Sequence, residues 1–136
     1  MKEGRCLCGE VTIRAELSSE ISACFCVNCA RWGGGLQLGI EARDVETSGP
    51  VRVHQSSEIA ERAWCGTCGS AIWFRYTGGR DAGYHEVCPG LFANAGDARL
   101  TRVVFADRAP DGFDIVPRCT RVSAESYGAD HPVVEV

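Results

Sequence analysis

CFCVNC, residues 24–29, carries three cysteines within six positions, and further cysteine groups lie on either side of it along the chain. One is the CxC of Cys6 and Cys8 in RCLCGE, and the other is the CxxC of Cys65 and Cys68 in WCGTCGS. Seven of the nine cysteines therefore fall in three tight groups. Four thiolates make a closed structural zinc site, whereas three protein ligands leave one coordination position open. The cysteine count therefore predicts two zinc sites, one closed and structural and one open.

The charge of the chain bears on its partners. The formal net charge is -4, the isoelectric point is near 5.3, and the 14 basic residues are scattered along the sequence. Nucleic-acid-binding modules usually carry a basic patch or tail. We therefore expect no nucleic-acid partner.

The N-terminus and the cysteine chemistry together predict a cytoplasmic location. The sequence MKEGRCLCGE lacks the charged, apolar and small-residue sections of a signal peptide, and no apolar run approaches the roughly 18 residues of a membrane helix. Thiols stay reduced in the cytosol, where a cysteine-rich chain is more often metal-binding or catalytic than disulfide-linked. An odd number of cysteines also fits a disulfide framework poorly.

Short strands dominate the pattern, and the predicted fold class is all-β. Gly9–Leu17 alternates between apolar and polar residues, which indicates a half-buried strand. We predict a turn at Ser18–Glu20, a helical turn at Cys29–Trp32, a polar stretch at Glu41–Pro50, and a short helix near Ser123–Tyr127. Further strands are predicted at Ile21–Cys26, Leu36–Ile40, Val51–Gln55, Glu58–Trp64, Ser70–Tyr76, Gly83–Val87 and Leu100–Ala106. The chain is expected to be a single domain, 1–136, with a core at about 4–106 and a tail at 107–136.

Spacing alone leaves the pairing of the cysteine groups open. Glycines between and after the thiols of CGTCG, residues 65–69, form a knuckle in which two sulfurs converge on one metal and backbone amides donate to the thiolates. The other two ligands of that site come either from Cys6 and Cys8 or from Cys26 and Cys29. The second choice gives an ordinary zinc ribbon but leaves three cysteines without a role.

The three motifs RCLCGE, CFCVNCARWGG and WCGTCGSAIWF, in this order and spacing, resemble the family of the glutathione-dependent formaldehyde-activating enzyme, which also includes centromere protein V-like domains. The resemblance covers Gly4 to about Phe105. It implies an Mss4-like fold, in which small antiparallel sheets are built around zinc. By matching motifs, it implies that a structural zinc is held by Cys6, Cys8, Cys65 and Cys68, and a catalytic zinc by Cys24, Cys26 and Cys29.

The resemblance further implies a carbon–sulfur lyase activity, in which S-(hydroxymethyl)glutathione forms from formaldehyde and glutathione. Zinc keeps a thiol deprotonated at neutral pH, and a thiolate remains a usable nucleophile. The expected reaction is therefore the formation or cleavage of a hemithioacetal from a small thiol, such as glutathione, and an aldehyde. A non-catalytic, zinc-stabilised binding module and a redox thiol switch are the alternative hypotheses.

Other residues are weaker candidates. Cys88 and Cys119 are each a possible fourth ligand that would close the second zinc site. His85 is an acid–base candidate, although a structural role is favoured, and His54 is expected to be a strand histidine. Arg31 is a candidate for pairing with a substrate carboxylate, with a solvated surface position as the alternative. We expect the aromatic residues next to the cysteine groups to form a dry wall around the metals: Trp32, Trp64, Trp73 and Phe74.

Overall fold

The computed structural model describes residues 1–113, 120 and 123–130. Eight strands form one mostly antiparallel sheet in this part of the chain. The strands are β1 (Lys2–Arg5), β2 (Thr12–Cys24), β3 (Gln37–Ser48), β4 (Val51–Ser57), β5 (Ala60–Cys65), β6 (Ala71–Tyr76), β7 (His85–Val87) and β8 (Arg99–Val104). The helices are α1 (Val27–Gly33) and α2 (Ala124–Asp130), with 3-10 turns at Pro89–Leu91, Ala93–Asp97 and Ala106–Arg108. The prediction of an all-β, Mss4-like fold is confirmed.

The strands follow the order β1-β2-β3-β7-β6-β5-β4, and β8 pairs with β2 in parallel. Both β1 and β8 pair with β2, but β1 uses Thr12–Ala15 and β8 uses Glu20–Cys24. The long β2 therefore links two parts of the sheet. Because β7 is bonded to β3 on one side and to β6 on the other, it joins the β2–β3 pair to the β4–β5–β6 meander.

The predicted turn at Ser18–Glu20 is wrong, because β2 continues through it. The pairing of β2 with β3 shifts register between Leu17 and Ile21, so a bulge takes up the polar residues without ending the strand. Most of the polar stretch at Glu41–Pro50 is strand, since β3 runs to Ser48. Its backbone is paired with β2 along this length, while most of its side chains are exposed.

The alternation of apolar and polar residues that was predicted for Gly9–Leu17, most of which lies in β2, is confirmed. Val11, Ile13 and Ala15 are fully buried, and the intervening side chains are exposed. These residues belong to one apolar cluster with Ile40 of β3 and Ile72 of β6. The core therefore packs against both parts of the sheet. It fixes the positions of β2 and β5, whose last residues are cysteines.

The turn between β3 and β4 depends on Gly49, which has a φ of 99°. A Cβ atom at this position would collide with the backbone carbonyl oxygen of Glu10. Gly49→Ala is therefore expected to lower the free energy of unfolding by about 3 kcal/mol or more, measured by urea denaturation. Gly83→Ala is the matched control, because Gly83 also has a positive φ, 91°, but no atom lies within 4 Å of the added methyl group. Equal losses in the two variants would show that the collision contributes nothing.

Neither helix in the described residues has the length and apolar character needed to cross a membrane.

Candidate metal centres

The four-cysteine cluster consists of Cys6, Cys8, Cys65 and Cys68, whose sulfur atoms all lie within 4.8 Å of one another. The Cys6 and Cys8 sulfurs are 3.5 Å apart, and those of Cys8 and Cys65 are 3.8 Å apart. Zinc–sulfur bonds of about 2.3 Å in a tetrahedron place sulfur atoms roughly 3.8 Å from one another. The donor set and its spacing therefore fit a tetrahedral thiolate-bound metal ion.

Two backbone turns build this cluster. In the first, Gly9 adopts a φ of 83°, its N–H bonds to the Cys6 carbonyl, and the Val11 N–H donates to the Cys6 sulfur at 3.2 Å. In the second, the N–H groups of Thr67 and Cys68 donate to the Cys65 sulfur at 3.4 and 3.5 Å. Amide donors to sulfur stabilise the thiolate form. The predicted CGTCG knuckle, with its backbone donors, is present.

Direct hydrogen bonds hold the two turns together. The Leu7 N–H donates to the Ser70 hydroxyl at 3.1 Å, and the Thr67 hydroxyl donates to the Glu10 carboxylate at 2.6 Å. Ser70 also lies 3.1 Å from the Cys68 sulfur, and this hydrogen bond lowers the pKa of Cys68 to about 5. Because Cys65 and Cys68 are grouped with the CxC, the structure excludes the zinc-ribbon pairing with Cys26 and Cys29.

The three-cysteine cluster consists of Cys24, Cys26 and Cys29, whose sulfur atoms also lie within 4.8 Å of one another. Cys24 ends β2, Cys26 is the N-cap residue of α1, and Cys29 lies in the first turn of that helix. The Cys26 N–H donates to the Cys24 sulfur at 3.5 Å, and the Cys29 N–H donates to the Cys26 sulfur at 3.3 Å. A strand end followed by a capped helix start therefore turns all three thiols toward one point.

A cavity of about 600 Å³ opens beside the three-cysteine cluster. All three cysteines line it, whereas no cysteine of the four-cysteine cluster does. Its other lining residues are Ser22, Asn28, Ser56, Ser57, Ile59, Ala60, Arg62, Phe74, Tyr76, Asp81, Tyr84, Glu86, Arg102, Val104 and Phe105. Cys6 of the four-cysteine cluster lines a separate cavity of about 560 Å³. The two clusters therefore differ in their number of sulfur donors, and only the three-cysteine cluster has every cysteine on the wall of one cavity.

Arg62 is a buried cation next to the three-cysteine cluster. Its side chain is only 4% exposed, and its Nη2 donates to the Cys29 sulfur at 3.5 Å. The guanidinium lies over the Phe74 ring at 4.8 Å and over the Trp32 ring at 5.8 Å, while its buried Nε has no hydrogen-bond partner. A buried cation requires nearby negative charge. Thiolates that bind a metal ion would supply this charge.

The protonation state of Cys29 depends on whether a metal ion is bound. Burial raises the pKa of the Cys29 thiol to about 12, although the hydrogen bond from Arg62 acts in the opposite direction. A thiol with that pKa is neutral at physiological pH, whereas a coordinating thiol is deprotonated by the metal. Without a metal ion, a neutral Cys29 thiol would leave the Arg62 charge without an anionic partner at this sulfur, whereas a metal-bound Cys29 thiolate would pair with it.

Glu86 lies in the same cavity, and the sequence analysis did not single it out. It accepts a hydrogen bond of 2.9 Å from the Tyr84 hydroxyl, and burial raises its pKa. His85, the neighbouring residue that was named as an acid–base candidate, does not line the cavity. His85 packs edge-on against Trp73 with ring centroids 5.0 Å apart, and burial lowers its pKa to about 4. Because successive strand residues face opposite sides, the acid–base candidate at the cavity is Glu86.

The sequence contains a signal for these charged residues. Arg62 lies between Ala60 and Trp64 at every second position of β5, so its side chain shares a face with apolar neighbours. A charged residue at such a buried position requires a partner of opposite charge. This requirement is the signal in the sequence that indicates a functional role for Arg62. Glu86 has no comparable signal, because β7 is only three residues long.

The remaining candidates lie away from the three-cysteine cluster. Cys88 is outside both clusters, and its sulfur accepts a hydrogen bond from Gln37 Nε2 at 3.4 Å, so it does not close the second site. Arg31 is exposed on α1 and does not line the cavity, so it is not placed to bind a substrate carboxylate there. His54 stacks on Trp32 in an exposed position of β4. Cys119 lies outside the described residues.

The aromatic wall that was predicted around the metals is present only in part, next to the three-cysteine cluster. The Trp32 ring lies 5.8 Å from the guanidinium of Arg62, which bonds to Cys29, and Trp64 packs edge-on against Trp32 with ring centroids 5.9 Å apart. Phe74 lines the cavity itself. Trp73, by contrast, is buried in the core and packs against His85 on the other face of the sheet.

The fold and the two clusters define a small all-β protein with two cysteine groups whose geometry suits metal ions. Residues 1–108 match the model of the family described as glutathione-dependent formaldehyde-activating enzyme, and the chain belongs to this family. It is 25% identical over 127 residues to a Schizosaccharomyces pombe protein named "Uncharacterized lyase C29B12.13", covering 90% of this chain and 91% of the relative. A crystal structure of a Rhodobacter sphaeroides protein has the same fold, with a TM-score of 0.60 and 23% identity over 75% of this chain and 99% of that chain.

Proposed function

We propose that the protein is a zinc-dependent carbon–sulfur lyase that forms or cleaves hemithioacetals of a small thiol, such as S-(hydroxymethyl)glutathione. One observation carries the proposal: three clustered cysteines line a cavity of about 600 Å³, beside a separate four-cysteine cluster. Membership of the family and the likeness to a protein named as a lyase support the reaction class. Glutathione is the probe substrate, and neither nucleic acid nor a membrane takes part.

The two clusters are assigned different tasks. The four-cysteine cluster would hold a structural zinc between the turn after β1 and the turn after β5. The three-cysteine cluster would hold a catalytic zinc, which when bound supplies a coordination position that stabilises a substrate sulfur as thiolate. Free thiols in this number fit a reducing compartment, so we assign the protein to the cytoplasm.

The cavity residues provide the remaining parts of a binding site. Cys24, Cys26 and Cys29 would hold the metal ion that binds the reacting sulfur at one end, and Arg62 lowers the cost of concentrating negative charge there. Polar groups further along the cavity, among them Asn28 and Arg102, are available to the thiol's own polar groups. The same walls exclude bulk water from part of the site, which strengthens these interactions.

Calorimetry of glutathione binding tests the proposal. The zinc-loaded protein is expected to bind glutathione, and Cys26→Ser is expected to weaken this binding by at least about tenfold, because it removes one of the three donors. Cys88→Ser is the matched control, since Cys88 is a half-buried thiol outside both clusters. It should bind glutathione like the unaltered protein. Circular dichroism checks that both variants remain folded.

The same experiment separates the alternatives. Equal binding by the metal-free and zinc-loaded proteins would contradict the proposal. Two tightly bound metal ions without any thiol binding would instead favour a non-catalytic, zinc-stabilised binding module. Reversible oxidation of the three-cysteine cluster without a metal requirement would favour a redox switch.

A further inference from the structure

Glu86 is the only carboxylate placed by a specific hydrogen bond among the described residues that line the cavity of the three-cysteine cluster. The other carboxylate there, Asp81, is exposed on the loop before β7. By contrast, one carboxylate oxygen of Glu86, Oε2, accepts a hydrogen bond of 2.9 Å from the Tyr84 hydroxyl. The carboxylate is therefore held in place and keeps a second oxygen for another partner.

Strand register explains why Glu86 faces the cavity. Arg62 of β5 is directly opposite Phe74 of β6, and Phe74 is directly opposite Glu86 of β7. Directly opposite residues in antiparallel pairs extend to the same face of a sheet. The three side chains therefore form one row across the cavity wall, which begins at the hydrogen bond between Arg62 and Cys29.

Gly39 gives Glu86 its position relative to the cysteines. A Cβ atom on Gly39 would lie 2.5 Å from the Glu86 carboxyl carbon, so the carboxylate occupies the space above this glycine. Gly39 is paired with Ser22 of β2, and Cys24 follows on the same face of β2 two residues later. The missing side chain at position 39 thus lets the Glu86 carboxylate lean from β7 toward the strand that carries Cys24.

The charges around Glu86 suit a group that takes up and releases a proton. Burial raises its pKa, while the hydrogen bond from Tyr84 and the charges of Arg62 and Arg102 oppose that change. Glu41, which is opposite Glu86 on β3, is exposed and does not line the cavity. A carboxyl whose pKa lies above its ordinary value is closer to the pH at which general acid–base catalysis is efficient.

We propose that Glu86 is a catalytic residue that carries the proton of the hemithioacetal hydroxyl group. This role rests on the proposed function. During cleavage, the Glu86 carboxylate takes the hydroxyl proton, the oxygen–hydrogen bonding pair becomes the second carbonyl bond, and the carbon–sulfur bond breaks. Its electron pair stays on the sulfur as thiolate, and the aldehyde leaves. Glu86 then returns its proton to the departing thiolate, which leaves as the thiol, so the cycle balances without another reactant.

Glu86→Gln is the principal test, because glutamine keeps the shape of the side chain and can still accept a hydrogen bond from the Tyr84 hydroxyl. The interconversion of glutathione and formaldehyde with S-(hydroxymethyl)glutathione is followed by exchange NMR on the zinc-loaded protein. The catalysed rate is expected to fall by about 100-fold. The metal content and the glutathione affinity measured by calorimetry should stay within about threefold of the unaltered protein, since neither depends on proton transfer.

Two further variants sharpen the test. Glu41→Gln removes the same charge one strand away, outside the cavity, and should leave the rate unchanged. Gly39→Ala keeps Glu86 but displaces its carboxylate, so it should lower the rate while leaving two metal ions bound. Gly39→Ala also tests the role of the Glu86 carboxylate if Glu86→Gln fails to fold.

The outcomes separate this inference from the proposed function. Rate enhancement by the unaltered protein that persists in Glu86→Gln would overturn the role of Glu86 and leave the lyase proposal standing. Loss of glutathione binding together with rate in Glu86→Gln would also overturn it, because Glu86 would then bind substrate rather than carry a proton. Absence of rate enhancement by the unaltered protein would overturn both.

Discussion

Cys65→Ser is expected to lower the midpoint of thermal unfolding by about 15 °C or more, measured by circular dichroism on protein purified with zinc. Cys65 is 1% exposed, belongs to the apolar core, and ends β5 at the four-cysteine cluster. In small metal-stabilised domains, metal binding supplies folding free energy on the order of 10 kcal/mol. Losing even half of this should shift the midpoint by about that amount for a chain of this size.

The effect should be specific to the four-cysteine cluster, because that cluster joins distant parts of the chain. It connects the turn after β1 to the turn after β5, which are separated by 57 residues at the pair Cys8 and Cys65. The three-cysteine cluster is local, spanning only residues 24–29. Cys26→Ser is therefore the matched control and should shift the midpoint by about 5 °C or less. Equal shifts in both variants, or no shift in Cys65→Ser, would contradict a structural role confined to one cluster.

The members of the three-cysteine cluster could be predicted from the sequence, because they are neighbours along the chain. Cys24, Cys26 and Cys29 lie so close together in the chain that a strand end followed by a helix start brings them together without distant contacts. The pairing of the CxC with the CxxC depends on a contact between distant parts of the chain, which cysteine spacing does not predict. Only the resemblance to a known family implies this pairing. The structure shows the hydrogen bond between Leu7 and Ser70 that fixes this contact.

The cavity could not be predicted in the same way. Arg62, Phe74 and Glu86 follow one another at intervals of 12 residues in sequence, and only the lateral register of β5, β6 and β7 places them in one row. A shift of one residue in any of these pairings would turn a side chain to the opposite face. The sequence does not distinguish His85 from Glu86 as the residue that faces the cavity, since a three-residue strand has too few positions to reveal which face is buried.

Arg62 couples this row to the three-cysteine cluster, and its charge has consequences for metal affinity. Three thiolates with one divalent ion carry a formal charge of -1, and a substrate thiolate adds another negative charge. The Arg62 guanidinium offsets part of this charge from a position that is 4% exposed. Buried charges interact strongly because little water screens them. Removing one partner of a buried pair typically costs about 3–5 kcal/mol.

Arg62→Met is therefore expected to raise the dissociation constant of the metal ion at the three-cysteine cluster by roughly two orders of magnitude, with little change at the four-cysteine cluster. Methionine retains apolar contact with Trp32 and Phe74 but removes the charge and the donor to Cys29. Competition with a chromophoric zinc chelator resolves the two affinities.

Arg75→Met is the matched control for Arg62→Met, because Arg75 also stacks on an aromatic ring, that of Trp73, at 4.9 Å. Its charge is exposed and pairs with Glu61 at 2.9 Å, so its removal should change neither metal affinity. Arg62→Lys should recover part of the lost affinity, since it restores the charge without the planar guanidinium. An unchanged metal affinity in Arg62→Met would mean that the cavity walls, rather than this buried cation, stabilise the thiolates. The charge of Arg62 would then not link the three-cysteine cluster to Glu86.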